Sequence, residues 1–180
     1  NGYLSSKEEG GSITEYKTDN RGNIKEIKPP IGEATIYEYD LLDRVIWEAR
    51  EDEETRYSYD QNGNLATKET FTGRIDENSQ KIYTLVEMSY DQLGNIKKRK
   101  VYNGTEATIT YYGYDNLSNL TKIETYKDAL AEGNRIGSIT EYRYNDRNLL
   151  SQQIIKNRDQ ANPITRTWQY EYTPNGLRKK

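Results

Sequence analysis

The sequence predicts an all-β fold, a curled antiparallel strip of about seven consecutive β-hairpins. Three observations carry that expectation. The stretch Tyr57-Ser58-Tyr59-Asp60-Gln61-Asn62-Gly63-Asn64-Leu65 recurs in close variants along the chain. The composition is polar, 33% hydrophobic and 31% charged, yet it holds 17 Tyr against 2 Trp, 1 Phe and 1 Met, and only 4 Pro. The second aromatic of each copy falls at positions 39, 59, 90, 114, 144 and 172, so a constant motif alternates with connections of unequal length. A hairpin array has this signature, with one specified turn per hairpin and a free loop at the other end.

The motif encodes a hairpin tip. Tyr-x-Tyr has period two, so both rings lie on one face of a strand. Asp60 opens a turn, because its carboxylate accepts from backbone N–H groups just ahead of it. Gly63 falls where a type I turn followed by a left-handed residue needs positive φ. Leu65 begins the return strand. Tyrosine suits such a sheet, since its apolar ring packs while its hydroxyl stays wet or finds a partner.

Taken in order, the start from Asn1 to Gly11 is polar and weakly specified, with Tyr3-Leu4 as the end of a strand between glycines. The chain does not begin with Met, which reads as a piece of a longer protein. The first copy runs from Ile13 through Tyr16, Asp19 and Gly22 to Ile24, with Thr18 in place of the second Tyr. Pro29-Pro30 closes its return strand, since proline cannot donate to a ladder. The second copy has Tyr37, Tyr39 and Asp40, with Asp43 at the left-handed position, which Asp and Asn tolerate better than other side chains. Glu51 to Glu54 reads as a charged connection, and the third copy is Tyr57 to Leu65.

An insertion from Phe71 to Tyr83 reads as strand, polar turn, strand. The fourth copy follows at Tyr90, Asp91 and Gly94. The fifth is Tyr112, Tyr114 and Asp115, where Ser118 replaces Gly and should strain the turn. Asp128 to Asn134 reads as one short helical turn. The sixth is Tyr142 and Tyr144 with Asn148 at the left-handed position, and the seventh is Tyr170 and Tyr172 with Pro174 and Gly176. The seventh hairpin lacks nearly all of its return strand before Lys180. Residues 1–180 thus form a single array, with repeats near 13–27, 35–48, 56–69, 87–101, 110–125, 140–155 and 168–180.

The pattern resembles the YD repeat, also called the RHS repeat, on the copies Tyr59 to Leu65, Tyr90 to Ile96 and Tyr114 to Leu120 and the looser ones between them. Such proteins are typically large secreted or surface-associated bacterial polypeptides, and related repeats occur in animal teneurins. The resemblance implies a strip of hairpins that spirals into a hollow shell, a secreted or cell-surface location, and a non-enzymatic scaffold or shell-wall role. The partners it implies are neighbouring YD repeats of the parent chain or an enclosed toxin domain, and the unpaired edge of the seventh hairpin adds end-to-end copies of this chain as an expected partner. An alternative role is carbohydrate binding or cell-surface adhesion through exposed Tyr, Trp47 or Trp168. Toxin-associated members end in a segment with an Asp-Pro element that plugs the shell and cleaves the chain. The four prolines here follow Lys28, Pro29, Asn162 and Thr173, so no self-cleavage is carried over.

Composition narrows the chemistry. With no His and no Cys there is no Ser-His-Asp triad, no thiolate nucleophile and no His/Cys zinc site, and we expect no enzyme and no cofactor. A carboxylate pair is open in principle, but Glu51 to Glu54 and Asp76-Glu77 read as solvated loop charges. Asp60 to Asn64 lacks the twelve-residue ligand set and closing Glu of an EF-hand loop, so no metal is expected. Lys97-Lys98-Arg99-Lys100 splits between two strand faces, and the net charge of −3 gives no nucleic-acid footprint. No run of about 18 apolar residues marks a membrane helix.

Overall fold

The structure is a computed structural model, and it describes residues 5–103, 106–128, 135–157 and 164–179. Tyr3-Leu4 and residues 129–134 of the short helical turn expected from Asp128 to Asn134 lie outside the described residues, and Asp128 itself is left-handed with a φ of 61°. Every regular element described is a strand. In chain order these are β1 (Ser6–Glu9), β2 (Ser12–Thr18), β3 (Ile24–Lys28), β4 (Thr35–Tyr39), β5 (Val45–Arg50), β6 (Glu53–Tyr59), β7 (Leu65–Ile75), β8 (Lys81–Tyr90), β9 (Ile96–Asn103), β10 (Glu106–Tyr114), β11 (Leu120–Lys127), β12 (Ile139–Tyr144), β13 (Leu150–Lys156) and β14 (Thr165–Gln169). Each strand hydrogen-bonds to its neighbours in the sequence, so the order across the sheet is the order along the chain. This is the antiparallel hairpin strip, built without a crossover.

The chain divides into two compact units, Asn1–Val86 and Glu87–Lys180. In the first, Gly10 and Gly11 have φ of 58° and 78° and join β1 to β2 as a two-residue turn. Two successive positive φ values are what a type I′ hairpin needs. Strand β1 lies upstream of the first motif copy, so counting motif copies does not reach it. The tips then alternate with loops on the opposite margin. One of these loops departs from expectation. Only Glu51 and Asp52 of the charged run form the turn, while Glu53 and Glu54 belong to β6, paired with Arg50 and Ala49. Glu54 is only 7% exposed, which corrects its reading as a solvated loop charge.

Strands β7 and β8 are longer than their neighbours. Strand β6 covers β7 only from Leu65 to Thr70. The remainder, Phe71 to Ile75, runs on toward a turn at Asp76 to Gln80, and Gly73 bends it with a φ of 76°. A bend in an otherwise open strand edge is a common guard against adding a foreign strand.

In the second unit β10 pairs with β9 on one side and β11 on the other. Ala107, Ile109, Tyr126 and Ile154 are its buried hydrophobic residues. Cross-strand partners share a face. Ile109 stands opposite Lys100 and Tyr126, and Ile154 opposite Glu141 and Thr167. Tyr112, Tyr142 and Tyr144 alternate with these positions. The enclosed side chains of this unit therefore lie on the face opposite the motif tyrosines. Tyr111 packs edge-on against Tyr126 there, with ring centroids 5.9 Å apart. The seventh hairpin keeps a stub of its return strand, because Tyr172 bridges Arg178.

Candidate functional site: the hairpin tips and the tyrosine rungs

The tips share one hydrogen-bond plan. Asp60 N donates to Asn64 O at 2.8 Å and Gly63 N donates back to Asp60 O at 3.0 Å. The Asp60 carboxylate accepts from Asn62 N at 2.9 Å and Asn64 N at 2.8 Å, and its other oxygen takes the Asn64 amide at 3.1 Å. The two backbone bonds to the carboxylate recur at Asp19, Asp40, Asp91 and Asp115, and at Asp40 the second oxygen takes the Arg44 guanidinium in place of an amide. Asn145 reproduces them with its amide oxygen, and Thr173 keeps one with its hydroxyl. Each aspartate thus satisfies N–H groups that the tight turn leaves without ladder partners. The side-chain amides of Asn64, Asn95 and Asn119, with the turn N–H groups, hold the carboxyls of Asp60, Asp91 and Asp115 below the usual carboxylate range.

Three residues after each opener the chain is left-handed. Gly22, Gly63, Gly94 and Gly176 have φ of 95°, 87°, 84° and 80°, while Asp43, Ser118 and Asn148 sit at 60°, 62° and 60°. A turn of this plan also closes β7 and β8 on the opposite margin. There Asp76 accepts from Asn78 N and Gln80 N, and Ser79 has a φ of 62°.

The second tyrosine of the motif is a rung between hairpins. Tyr39 donates its hydroxyl to Ile24 O at 2.6 Å, Tyr59 to Val45 O at 2.7 Å, and Tyr114 to Ile96 O at 3.1 Å. Tyr144 donates to Leu120 O at 2.9 Å and Tyr172 to Leu150 O at 2.8 Å. The acceptor is always the first residue of the preceding return strand. Val45, Leu120 and Leu150 pair with the last aromatic of their own hairpins, Tyr39, Tyr114 and Tyr144, and Ile24 pairs with Thr18 at the same place. The ladder shifts register at this point in β2–β3, β4–β5, β6–β7, β10–β11 and β12–β13, for example between Ser58 and Tyr59. The register shift leaves one residue of the return strand without a ladder partner and twists the pair. Burial pushes the hydroxyls of Tyr39, Tyr114 and Tyr144 to higher pKa, so they stay protonated donors.

The first motif tyrosines are spread along the same face. Tyr57 donates to Glu48 Oε1 at 2.6 Å, and burial with that carboxylate raises its pKa. Tyr170 donates to Gln153 at 3.1 Å. Tyr37 stands opposite Glu48, Tyr112 opposite Ile123, Tyr142 opposite Gln153 and Tyr16 opposite Ile27. Tyr90 ends β8 beside the Asp91 tip.

The two tryptophans take different faces of their own repeats. Trp47 stands in a row with Glu38, Arg56 and Glu69, away from Tyr57 and Tyr59. Its indole N–H donates to Glu54 Oε1 at 3.2 Å. Trp168 stands opposite Gln153 on the tyrosine face and is 42% exposed.

Glu54 is the hub that sequence reasoning missed. Arg56 Nη2 and Lys81 Nζ each reach it at 2.6 Å. The Lys81 ammonium, with Trp47, Tyr83 and Arg56, draws its carboxyl down to about 2, against the cost of burial. Phe71 and Tyr83 pack at 5.8 Å beside it, Lys81 lies 5.0 Å from the Phe71 ring, and Arg56 lies 5.0 Å from the Tyr83 ring. These groups clamp the root of the long β7–β8 hairpin. A cleft of about 200 Å³ adjoins it, lined by Thr35, Glu48, Arg50 and Glu53 among others. The only sequence signal was indirect, since Glu54 to Tyr59 continues the strand alternation of the third repeat backwards into the charged run.

In the basic run, Lys98 and Lys100 share a face with Tyr111 and Ile109, while Arg99 stands opposite Thr110. Lys100 Nζ lies 4.3 Å from the Tyr102 ring. Among the described residues no group of three or more His, Cys, Asp or Glu side chains is placed to hold a metal ion. No helix there is long and apolar enough to cross a membrane.

No family model matches the chain, and no curated protein matches it. Solved structures do. The crystal structure of TcdB2-TccC3-Cdc42 matches over 90% of this chain and 11% of its own, at 13% identity and a TM-score of 0.48. The Photorhabdus luminescens Tc holotoxin pore matches over 93% of this chain and 13% of its own, at 14% identity and a TM-score of 0.28. The crystal structure of TcdB2-TccC3-TEV matches over 93% and 13%, at 15% identity and a TM-score of 0.25. The chain thus spans little more than a tenth of each of these three chains. In its tip motif, and in the antiparallel hairpin strip that the motif builds, the chain is similar to the YD/RHS-repeat proteins.

Proposed function

We propose that the chain is a non-enzymatic scaffold, a shell-wall segment of a longer secreted or surface protein of the YD/RHS-repeat kind, with residues 1–180 acting as one array. The observation that carries this reading is the set of tyrosine rungs. Each spends one of the motif's two recurrent tyrosines on joining one hairpin to the one before it, which is what a wall needs and a binding site does not. In a parent chain such a wall would surround a cargo such as a toxin domain. The test is hydrogen exchange on Tyr114→Phe and Tyr144→Phe. Faster exchange in both flanking hairpins supports the wall, and a change confined to the mutated hairpin refutes it.

A second reading, a carbohydrate-binding or adhesion module, is favoured by the exposed Trp168 on the tyrosine face. A glycan array decides between them. Saturable binding lost in Trp168→Ala would establish the binding module, and silence across the array would favour the scaffold.

A further inference from the structure

The tips touch each other through two positions that the motif leaves variable. One is the fifth residue of a tip, counting the opening Asp or Asn as first. The other is the left-handed fourth residue of the next tip. Asn23 Nδ2 donates to Asp43 Oδ1 at 2.6 Å. Asn95 Nδ2 donates to Ser118 Oγ at 3.0 Å, and Asn119 Nδ2 to Asn148 Oδ1 at 2.5 Å. Before Gly63 and Gly176 the neighbour is not Asn. A Cβ placed on Gly63 would lie 3.7 Å from Arg44 Nη1, so the same two positions adjoin there too. Gly176 follows Leu149, which has no amide to give, and a Cβ there would meet nothing within 4 Å.

We infer that these two positions form a pairing code between successive repeats. A side-chain acceptor at the left-handed position requires an Asn amide on the tip before it, whereas glycine requires no partner. Every non-glycine left-handed tip residue, Asp43, Ser118 and Asn148, follows a tip whose fifth residue is Asn. The step from Asn64 to Gly94, which passes from one unit to the other, keeps a glycine. The physical logic is an exchange. A side chain at positive φ strains the turn, and a hydrogen bond received from the neighbouring tip offsets that cost. The code deepens the scaffold reading, because it specifies which tips can stand side by side. It would operate equally in a glycan-binding array, so its failure and that of the scaffold reading are separable.

The test is a double-mutant cycle in the full chain, read by urea unfolding. Asn148→Gly removes strain together with a partner, so alone it changes the unfolding equilibrium little. In an Asn119→Ala background the same change should stabilise, with a coupling of about five-fold in the equilibrium constant. The code can also be written where it is absent. Gly63→Asn alone should destabilise by about five-fold, and adding Arg44→Asn should recover most of that loss, since Asn at this position also serves Asp40 as Asn64 serves Asp60. Additive effects in the first cycle, or no recovery in the second, overturn the code. If the Gly63→Asn variant does not fold alone, refolding on adding Arg44→Asn supports the code, and continued misfolding counts against it.

Discussion

Replacing Glu54 by Gln tests whether the clamp at the root of the long hairpin is electrostatic. The Glu54 side chain is 9% exposed, and the side chains of its partners Lys81 and Arg56 are 49% and 53% exposed. A fall from 4.5 to about 2 corresponds to about 3 kcal/mol at 1.36 kcal/mol per unit. Half-exposed cations are screened by water, which reduces the expected contribution to about 1–2 kcal/mol. Because the folded pKa is depressed, the stabilisation is fully present above pH 4.5 and is lost as pH falls toward 2. Gln keeps an oxygen for the Trp47 N–H, so the exchange removes charge and spares that bond. Urea unfolding followed by tryptophan fluorescence at a series of pH values should show the wild type ahead of Glu54→Gln at pH 6. The gap should close through the interval from 4.5 to 2. A gap that does not change with pH would refute the electrostatic clamp, and no gap at all would refute the clamp itself.

Three further outcomes follow. Tyr144→Phe removes the rung to Leu120 O and should cost about 1 kcal/mol in urea unfolding, with an unchanged slope. Gly63→Ala forces a side chain to a φ of 87° and should cost about 1 kcal/mol. Gly113→Ala, with its new Cβ 3.4 Å from Lys122 Cβ and Thr121 Oγ1, should cost less, and thermal melts compare the two. Asp115→Ala strips the acceptor from Leu117 N and Asn119 N and should lower the melting midpoint. Asp115→Asn should retain most of it, because Asn145 already performs this role at 3.0 Å for Arg147 N and Leu149 N.

The tips were legible because their chemistry is local. Asp, the left-handed residue and the flanking aromatics lie within nine consecutive positions, and each acts on backbone only a few residues away. The rungs were legible as tyrosines but not as bonds. Their acceptor is a carbonyl 14 to 24 residues upstream, and a carbonyl carries no sequence signature. Ser118 shows the same limit. Read alone it strains its turn, and the Asn95 amide that compensates it lies 23 residues away. Glu54 was illegible for a different reason. Its acidic neighbours Glu51, Asp52 and Glu53 mark a turn, and its burial depends on Lys81, which lies 27 residues further on beyond a second turn. Strand β1 was legible in principle, since Gly10-Gly11 is a two-residue hairpin signal.

The two margins of the first unit should therefore respond differently to inserted chain. On the tip margin, six consecutive residues hold two carboxylate bonds, a left-handed residue and the start of a return strand whose carbonyl receives a rung. On the other margin the connections already differ, from the pair Gly10-Gly11 to the stretch from Pro29 to Ala34. Four Gly/Ser residues inserted after Ile31, which is 89% exposed, lengthen a surface loop and should cost under about 0.6 kcal/mol. The same residues inserted between Gln61 and Asn62 separate Asp60 from the N–H groups of Asn62 and Asn64 and uncouple the Tyr59 rung from its turn. Loss of those bonds should cost about 2–3 kcal/mol. Paired urea titrations measure both. Equal losses would mean that the hairpins are held by their strand ladders alone, and that the constancy of the tip has some origin other than the joining of one repeat to the next.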